Sequence, residues 1–299
     1  MRLLQRLPDD NGFSLVYREG NDIPPYAILS HTWGSDNDEV TFKEITEGEG
    51  RGKTGYHKLS FCSKQAARDG LDFFWVDTCC IDKTSSAELT EAINSMYKWY
   101  QKAKKCYVFL TDVSIDFPTN NVSPQTWATV FQDSRWFKRG WTLQELLASR
   151  SVDFFSKHRE WCGDKTTLSQ ALHITTRIPV AALQGTPLYQ FSVEDRMSWA
   201  RDRETKREED SVYSLFGIFD VQLPLLYGEG RGRAMVRLRR EIQGLSSSYP
   251  CIPSSVPRFS TIPFKRDDDF VDRDSLRRVC QICAQPAGRA ALVGLGGIG

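Results

Sequence analysis

The chain has 299 residues, with 39 Lys and Arg against 38 Asp and Glu, and is 40% hydrophobic and 12% aromatic. That is enough for a buried core in one large domain or two modest ones, and a formal charge of +1 argues against a dedicated nucleic-acid binder. No run of about 18 apolar residues predicts a membrane span, the start Met1-Arg-Leu-Leu-Gln-Arg-Leu-Pro8 lacks the apolar stretch of a secretory signal, and the eight cysteines, read as reduced thiols, point to the cytoplasm.

Short apolar runs alternate with amphipathic stretches over the first two-thirds of the chain. Tyr26-Ala-Ile-Leu-Ser30 reads as a buried strand, and residues 57–68 as a helix stopped by Asp69-Gly70. Phe73-Phe-Trp-Val-Asp77 is a second strand. The spacing Ser85…Glu88 opens a helix over 85–105, with Leu89, Ile93, Met96, Tyr97 and Tyr100 on one face. Cys106-Tyr-Val-Phe-Leu110 and Val152-Asp-Phe-Phe155 are the third and fourth strands, separated by a short helix over 142–148. This alternation predicts an α/β fold with a mostly parallel sheet flanked by helices. From 166 to 243 the pattern turns helical, with a mixed charge run at 201–210 read as a solvated loop or helix start. Residues 212–226 form an apolar helix and turn interrupted near Pro224, and residues 233–243 a last helix. Ser and Pro then crowd the stretch from Ser246 to Pro263, which reads as a linker. No internal repeat is visible.

The strand ends carry the chemistry. Ser30, His31 and Trp33 follow the first strand, Asp77, Cys79, Cys80 and Asp82 the second, and Thr111 and Asp112 the third. In open α/β sheets ligands bind outside these carboxyl ends. Each residue also has a plain reading: His31 as a hydrogen-bonded structural histidine, Asp77 and Asp82 as caps, and Cys79 and Cys80 as packing thiols. A Cys79–His31 nucleophilic pair needs a polarised thiolate and an oxyanion hole that no motif supplies. No metal site is expected, because Cys79-Cys80 are adjacent and Cys280-Gln-Ile-Cys283 stands alone. Glu145 falls in the first turns of the 142–148 helix, where an anion is favoured, four residues after Trp141. It reads equally as a helix-start charge among packing residues.

Three blocks carry a resemblance: Tyr26-Ala-Ile-Leu-Ser-His-Thr-Trp-Gly34, Trp75-Val-Asp-Thr-Cys-Cys-Ile-Asp-Lys83 and Arg139-Gly-Trp-Thr-Leu-Gln-Glu-Leu-Leu147. They resemble the signature blocks of the fungal heterokaryon-incompatibility (HET) domain. Ala87-Glu-Leu-Thr-Glu-Ala-Ile-Asn-Ser95, Arg196-Met-Ser-Trp-Ala200 and Leu223-Pro-Leu-Leu-Tyr-Gly-Glu-Gly230 extend the match. The resemblance covers roughly residues 1–245, with an α/β core over about 20–160 and a helical extension over about 166–245. It implies a cytoplasmic role in nonself recognition, fungal innate immunity and programmed cell death. HET domains are distantly similar to the flavodoxin-like TIR fold, whose catalytic glutamate aligns with Glu145, although Phe137-Lys-Arg-Gly140 adds residues between Trp136 and Trp141. The implied reaction is hydrolysis of the N-glycosidic bond of NAD⁺, needing no cofactor, in a pocket drawing on Ser30, His31, Trp33, Asp77, Cys79, Asp82 and Trp141. The alternative is a non-enzymatic module for homotypic assembly. Neither reading implies a nucleic-acid or membrane partner.

Residues 246–265 are the expected linker. Beyond it, Ala290-Ala-Leu-Val293 reads as a strand feeding a glycine loop, with Gly294, Gly296, Gly297 and Gly299 at P-loop or dinucleotide-fingerprint spacing. Phe270 and Arg273 resemble the lead-in of an NB-ARC (STAND-class) NTPase, so 266–299 is expected to be the truncated start of such a domain. The lysine and hydroxyl residue of a P-loop are missing, so ATP or GTP binding is expected only in a longer parent protein. There the NTPase and a sensor would cluster the HET domains.

Overall fold

The four strands read from the sequence form the parallel centre of a larger mixed sheet. The computed structural model describes residues 1–8, 12–114 and 129–248. Its strands are β1 (Arg2–Arg6), β2 (Phe13–Tyr17), β3 (Tyr26–His31), β4 (Phe73–Trp75), β5 (Lys105–Phe109), β6 (Val152–Phe155) and β7 (Trp161–Asp164). They lie in the order β2-β1-β4-β3-β5-β6-β7. β4, β3, β5 and β6 run parallel. The β1–β2 hairpin joins β4 antiparallel on one side, and β7 closes the other side antiparallel to β6. Numbered among themselves, the parallel strands are ordered 2-1-3-4, the flavodoxin-like winding, whose switch point lies between β3 and β5.

The helices follow the capping chemistry. α1 (Phe42–Glu47) opens on a full capping box between Thr41 and Glu44, and α2 (Tyr56–Arg68) ends before Asp69 and Gly70 as expected. In α3 (Ser86–Lys102) only half of the predicted box forms. Ser85 caps the Glu88 amide, while the Glu88 carboxylate turns to the Asp82 amide (2.8 Å) and to Arg2. The helix also stops three residues earlier than its periodicity suggested. Lys104 N donates to Tyr26 O at 2.9 Å and Lys105 pairs with Asp153 on β6, so these residues belong to the sheet. α4 (Thr142–Ala148) spans the predicted residues.

Alternate residues of each strand face opposite helical layers. Phe155 packs against Phe61 of α2, while its neighbour Phe154 meets Trp136 on the other face. Trp75 lies against Trp99 and Tyr100 of α3. β3 sits at the centre with all six residues buried.

Beyond β7 come α5 (Ser169–Thr176), α6 (Val180–Leu183), α7 (Val193–Ser198), α8 (Asp210–Tyr213), α9 (Phe216–Phe219) and α10 (Gly230–Ser248). α9 packs on α3 and α4, and α8 on α10. The α9–α3 contact is close enough to require glycine: a Cβ on Gly217 would lie 2.1 Å from Tyr97 Cβ. Residues 246–248 fall within α10 rather than in a linker. The remainder of the expected linker and the glycine loop lie outside the described residues. Among the described residues, no helix is long and apolar enough to cross a membrane.

Candidate functional site

Ser30 is the fifth residue of β3 and, by the register, shares a face with Trp75, Cys106 and Phe154, the face covered by α3 and α4. There it meets Glu145 of α4. Ser30 Oγ accepts from Trp136 Nε1 at 2.8 Å and donates its own proton to Glu145 Oε2. The indole thereby sets the direction of the hydroxyl, because a serine that accepts from Trp136 keeps its proton for the carboxylate. The four residues between Trp136 and Trp141 are taken up by a 3₁₀ turn over Arg135–Lys138 and by Gly140, whose N–H donates to Glu204 O at 2.8 Å.

α4 is held rigidly although it has only seven residues, all of them buried. Thr142 Oγ1 donates to Trp136 O at 2.6 Å, and Arg203 Nη1 donates to Arg139 O (2.8 Å) and Thr142 Oγ1 (2.9 Å) at its start. At its end the buried Lys165 ammonium donates to Leu146 O and Ser149 O at 2.6 and 2.9 Å. The Lys165 contacts satisfy carbonyls at the helix end that would otherwise be left orphaned.

Glu145 is 7% exposed. Burial raises its carboxyl from 4.5 to about 8, reinforced by the nearby negative charge of Asp77 and opposed by Ser30, Tyr100 and Arg139. The position near the helix start favours the anion, as the sequence suggested, but desolvation outweighs it. Asp77 shows the opposite balance. Burial would raise it, yet His31, Lys83 and Trp33 together draw it down to about 2. Its Oδ2 accepts from Trp33 Nε1 at 2.8 Å, and Oδ1 lies 3.2 Å from His31 Nε2. Two carboxyl groups in one site are thus driven apart in protonation, a pattern typical of acid–base and electrostatic sites.

His31, Trp33, Asp77, Trp141 and Glu145 all line one cavity of about 730 Å³ at the carboxyl end of β3, and Ser30 lies behind it as the partner of Glu145. Two other residues read as binding candidates lie elsewhere. Cys79 is buried, its thiol raised well above its ordinary value by Cys80 and by burial, and it does not line the cavity. It is therefore held as a thiol rather than the polarised thiolate that a Cys–His nucleophile needs. Asp82 lines a neighbouring cavity of about 580 Å³ and binds Thr84 N and Oγ1 at 3.0 and 2.6 Å, an Asx turn leading into α3.

The cavity also uses residues that the sequence reading passed over. Lys83 and Arg139 lie at the ends of two of the quoted blocks, and both line it. Lys206, Arg207 and Asp210 come from the charge run expected to be solvated, and Tyr227 from the turn after α9; all four line the same cavity. Behind the Trp33 loop, Lys58 donates to Thr32 O (3.0 Å) and to Glu39, whose Oε1 accepts from Gly34 N at 2.7 Å. This buried pair fixes the turn that presents Trp33.

Fold and site together define an α/β protein with a buried, protonatable glutamate facing a cleft at the topological switch point of its sheet. Residues 26–119 match the family described as heterokaryon incompatibility protein (HET), and the chain is a HET-domain protein. It is 55% identical over 244 residues to the vegetative incompatibility protein HET-E-1 of Podospora anserina, an alignment covering 81% of this chain. The chain spans 18% of that protein's length. No solved structure matches it.

Proposed function

We propose that this chain is the effector domain of a fungal incompatibility receptor, and that it hydrolyses the nicotinamide–ribose bond of NAD⁺ when clustered. Its likeness to HET-E-1, a vegetative incompatibility protein, supports the incompatibility role. The distant TIR likeness of HET domains supports the reaction. The observation that carries the chemistry is Glu145, set on Ser30 within a cavity also walled by Trp33 and Trp141.

Heterolysis of the C1′–N1 bond sends the electron pair to nicotinamide, which leaves neutral and requires no general acid. The ribosyl oxocarbenium left behind is stabilised by one anion, the Glu145 carboxylate. Water then adds at C1′, and its proton passes through Glu145 to solvent, giving ADP-ribose, nicotinamide and H⁺. The cationic nicotinamide-ribosyl group favours ionisation of Glu145 on binding, offsetting the burial that protonates it in the free domain. Trp141 supplies a flat surface for an aromatic ring. A sensor and NTPase in the parent protein would supply the clustering, through a raised effective concentration of domains.

The test is nicotinamide release from NAD⁺ by the chain fused to an inducible oligomeriser. Glu145→Gln is expected to lower turnover by about 10²–10³. Full activity in a folded Glu145→Gln chain refutes the assignment. Absence of release by the clustered parent chain favours a module that acts by homotypic assembly alone.

A further inference from the structure

The cavity wall carries cations whose N–H donors the Glu145 chemistry does not use. Trp33, Asp36, Ile81 and Lys83 line both the cavity that holds Glu145 and the neighbouring one of about 580 Å³, so Trp33 acts as a partition between them. Lys83 Nζ sits 3.7 Å from the centre of the Trp33 ring, and the Arg139 guanidinium carbon lies 6.0 Å from the same ring. A third cation, Arg207, rests 4.1 Å over Tyr227 in the first cavity's wall.

Among the described residues, none of these three side chains forms an ion pair with a carboxylate. The acids whose charge reaches Lys83 are engaged elsewhere. Asp77 is held by His31 and Trp33, Asp36 by Lys206 at 2.7 Å, and Glu39 by Lys58. An aromatic face orients a cation without consuming its N–H donors. Lys83, at the boundary between two cavities of small-molecule size, and Arg139, in the wall of the first, thus keep their donors available beside the Trp33 ring. Val40, Phe42, Ile81 and Trp33 give the second cavity an apolar part, beside Glu47 and Asp82, and a flat, weakly polar group such as a nucleobase would lie against that apolar part.

We propose that Lys83 and Arg139, oriented by Trp33, form a phosphate subsite. The substrate class it selects is a diphosphate-bridged dinucleotide, whose diphosphate crosses the Trp33 partition. One nucleoside half lies beside Glu145 and the other enters the second cavity. The placement of the reacting half rests on the glycohydrolase reading above; the phosphate subsite does not. A nucleoside without phosphate has nothing to offer these donors and binds weakly.

The experiment is equilibrium binding of ADP-ribose and of inorganic pyrophosphate to the full chain by titration calorimetry. It compares the parent with Lys83→Gln, Arg139→Gln and Lys83→Arg, each checked by a thermal melt. The glutamine variants keep most of the side-chain stem over Trp33 while removing the charge. Each is expected to lose about tenfold in affinity for both probes. Lys83→Arg should stay within about threefold, and the parent's affinity should fall as salt rises. Unchanged affinity in the folded glutamine variants, or no binding of either probe to the parent chain, overturns the subsite. NAD⁺ hydrolysis by the clustered parent alongside unchanged affinities would retain the role of Glu145 and reject the phosphate subsite. Weakened binding in the glutamine variants without any hydrolysis would do the reverse.

Discussion

Replacing Glu145 with glutamine should change how stability depends on pH. A carboxyl carried from 4.5 in the unfolded chain to about 8 in the folded one holds its proton more tightly when folded. Below about pH 4.5 both states are protonated and the group has no effect. As pH rises toward 8 the unfolded state ionises first, so stability falls, and above 8 the loss levels off. The full shift corresponds to roughly 5 kcal/mol, and between pH 5 and pH 8 the expected loss from this group is about 3–4 kcal/mol. Glutamine keeps the size of the side chain and an oxygen to accept from Ser30, but has no charge to desolvate. Urea unfolding at pH 5, 6, 7 and 8 tests this, and the difference between parent and Glu145→Gln should widen with pH in favour of the variant. Parallel profiles would refute the claim that burial controls Glu145, whatever the absolute stabilities.

The same group sets the expected rate profile: kcat/KM for NAD⁺ in the clustered chain should rise with pH and level off near 8, whereas a flat profile from pH 6 to 9 would argue against an ionising Glu145. Lys58→Met strands the buried Glu39 carboxylate and should destabilise the fold by about 3–5 kcal/mol; a loss below about 1 kcal/mol in chemical denaturation would show that the pair does not hold the Trp33 turn. Gly217→Ala drives a methyl into Tyr97 across the α9–α3 contact, at a cost of at least about 1–3 kcal/mol, measurable as a lowered melting temperature.

Much of the fold was legible in the sequence because its central strands are buried on both faces. Tyr26–His31, Phe73–Trp75, Lys105–Phe109 and Val152–Phe155 read as continuous apolar runs for that reason. The flanking strands did not. Arg2–Arg6 mixes Leu3 and Leu4 with Arg2, Gln5 and Arg6, and Trp161–Asp164 exposes Trp161 at the sheet edge, so neither shows a clean run. The site was legible only as a set of residue types. Ser30 and Glu145 are 115 positions apart, and nothing local in either segment shows that they touch or that Trp136 orients the hydroxyl between them. Protonation was harder still, since depth of burial decides it and a helix-start position suggested the opposite sign. Arg203 and Glu209 lie in a run that reads as solvated, yet the Arg203 guanidinium supports the start of α4 and Glu209 accepts from Gly228 N and Gly230 N at 2.8 and 3.0 Å. A charge pattern alone does not distinguish a solvated face from one folded over a cleft.

We propose Glu145, set on Ser30 in the cleft, as the group on which NAD⁺ hydrolysis by this domain would depend. Nicotinamide released per clustered chain, parent against Glu145→Gln at pH 8, tests it most directly. Steady release by the parent is expected, with about 10²–10³ less by the folded variant. Equal release by both would contradict it, as would no release by the clustered parent.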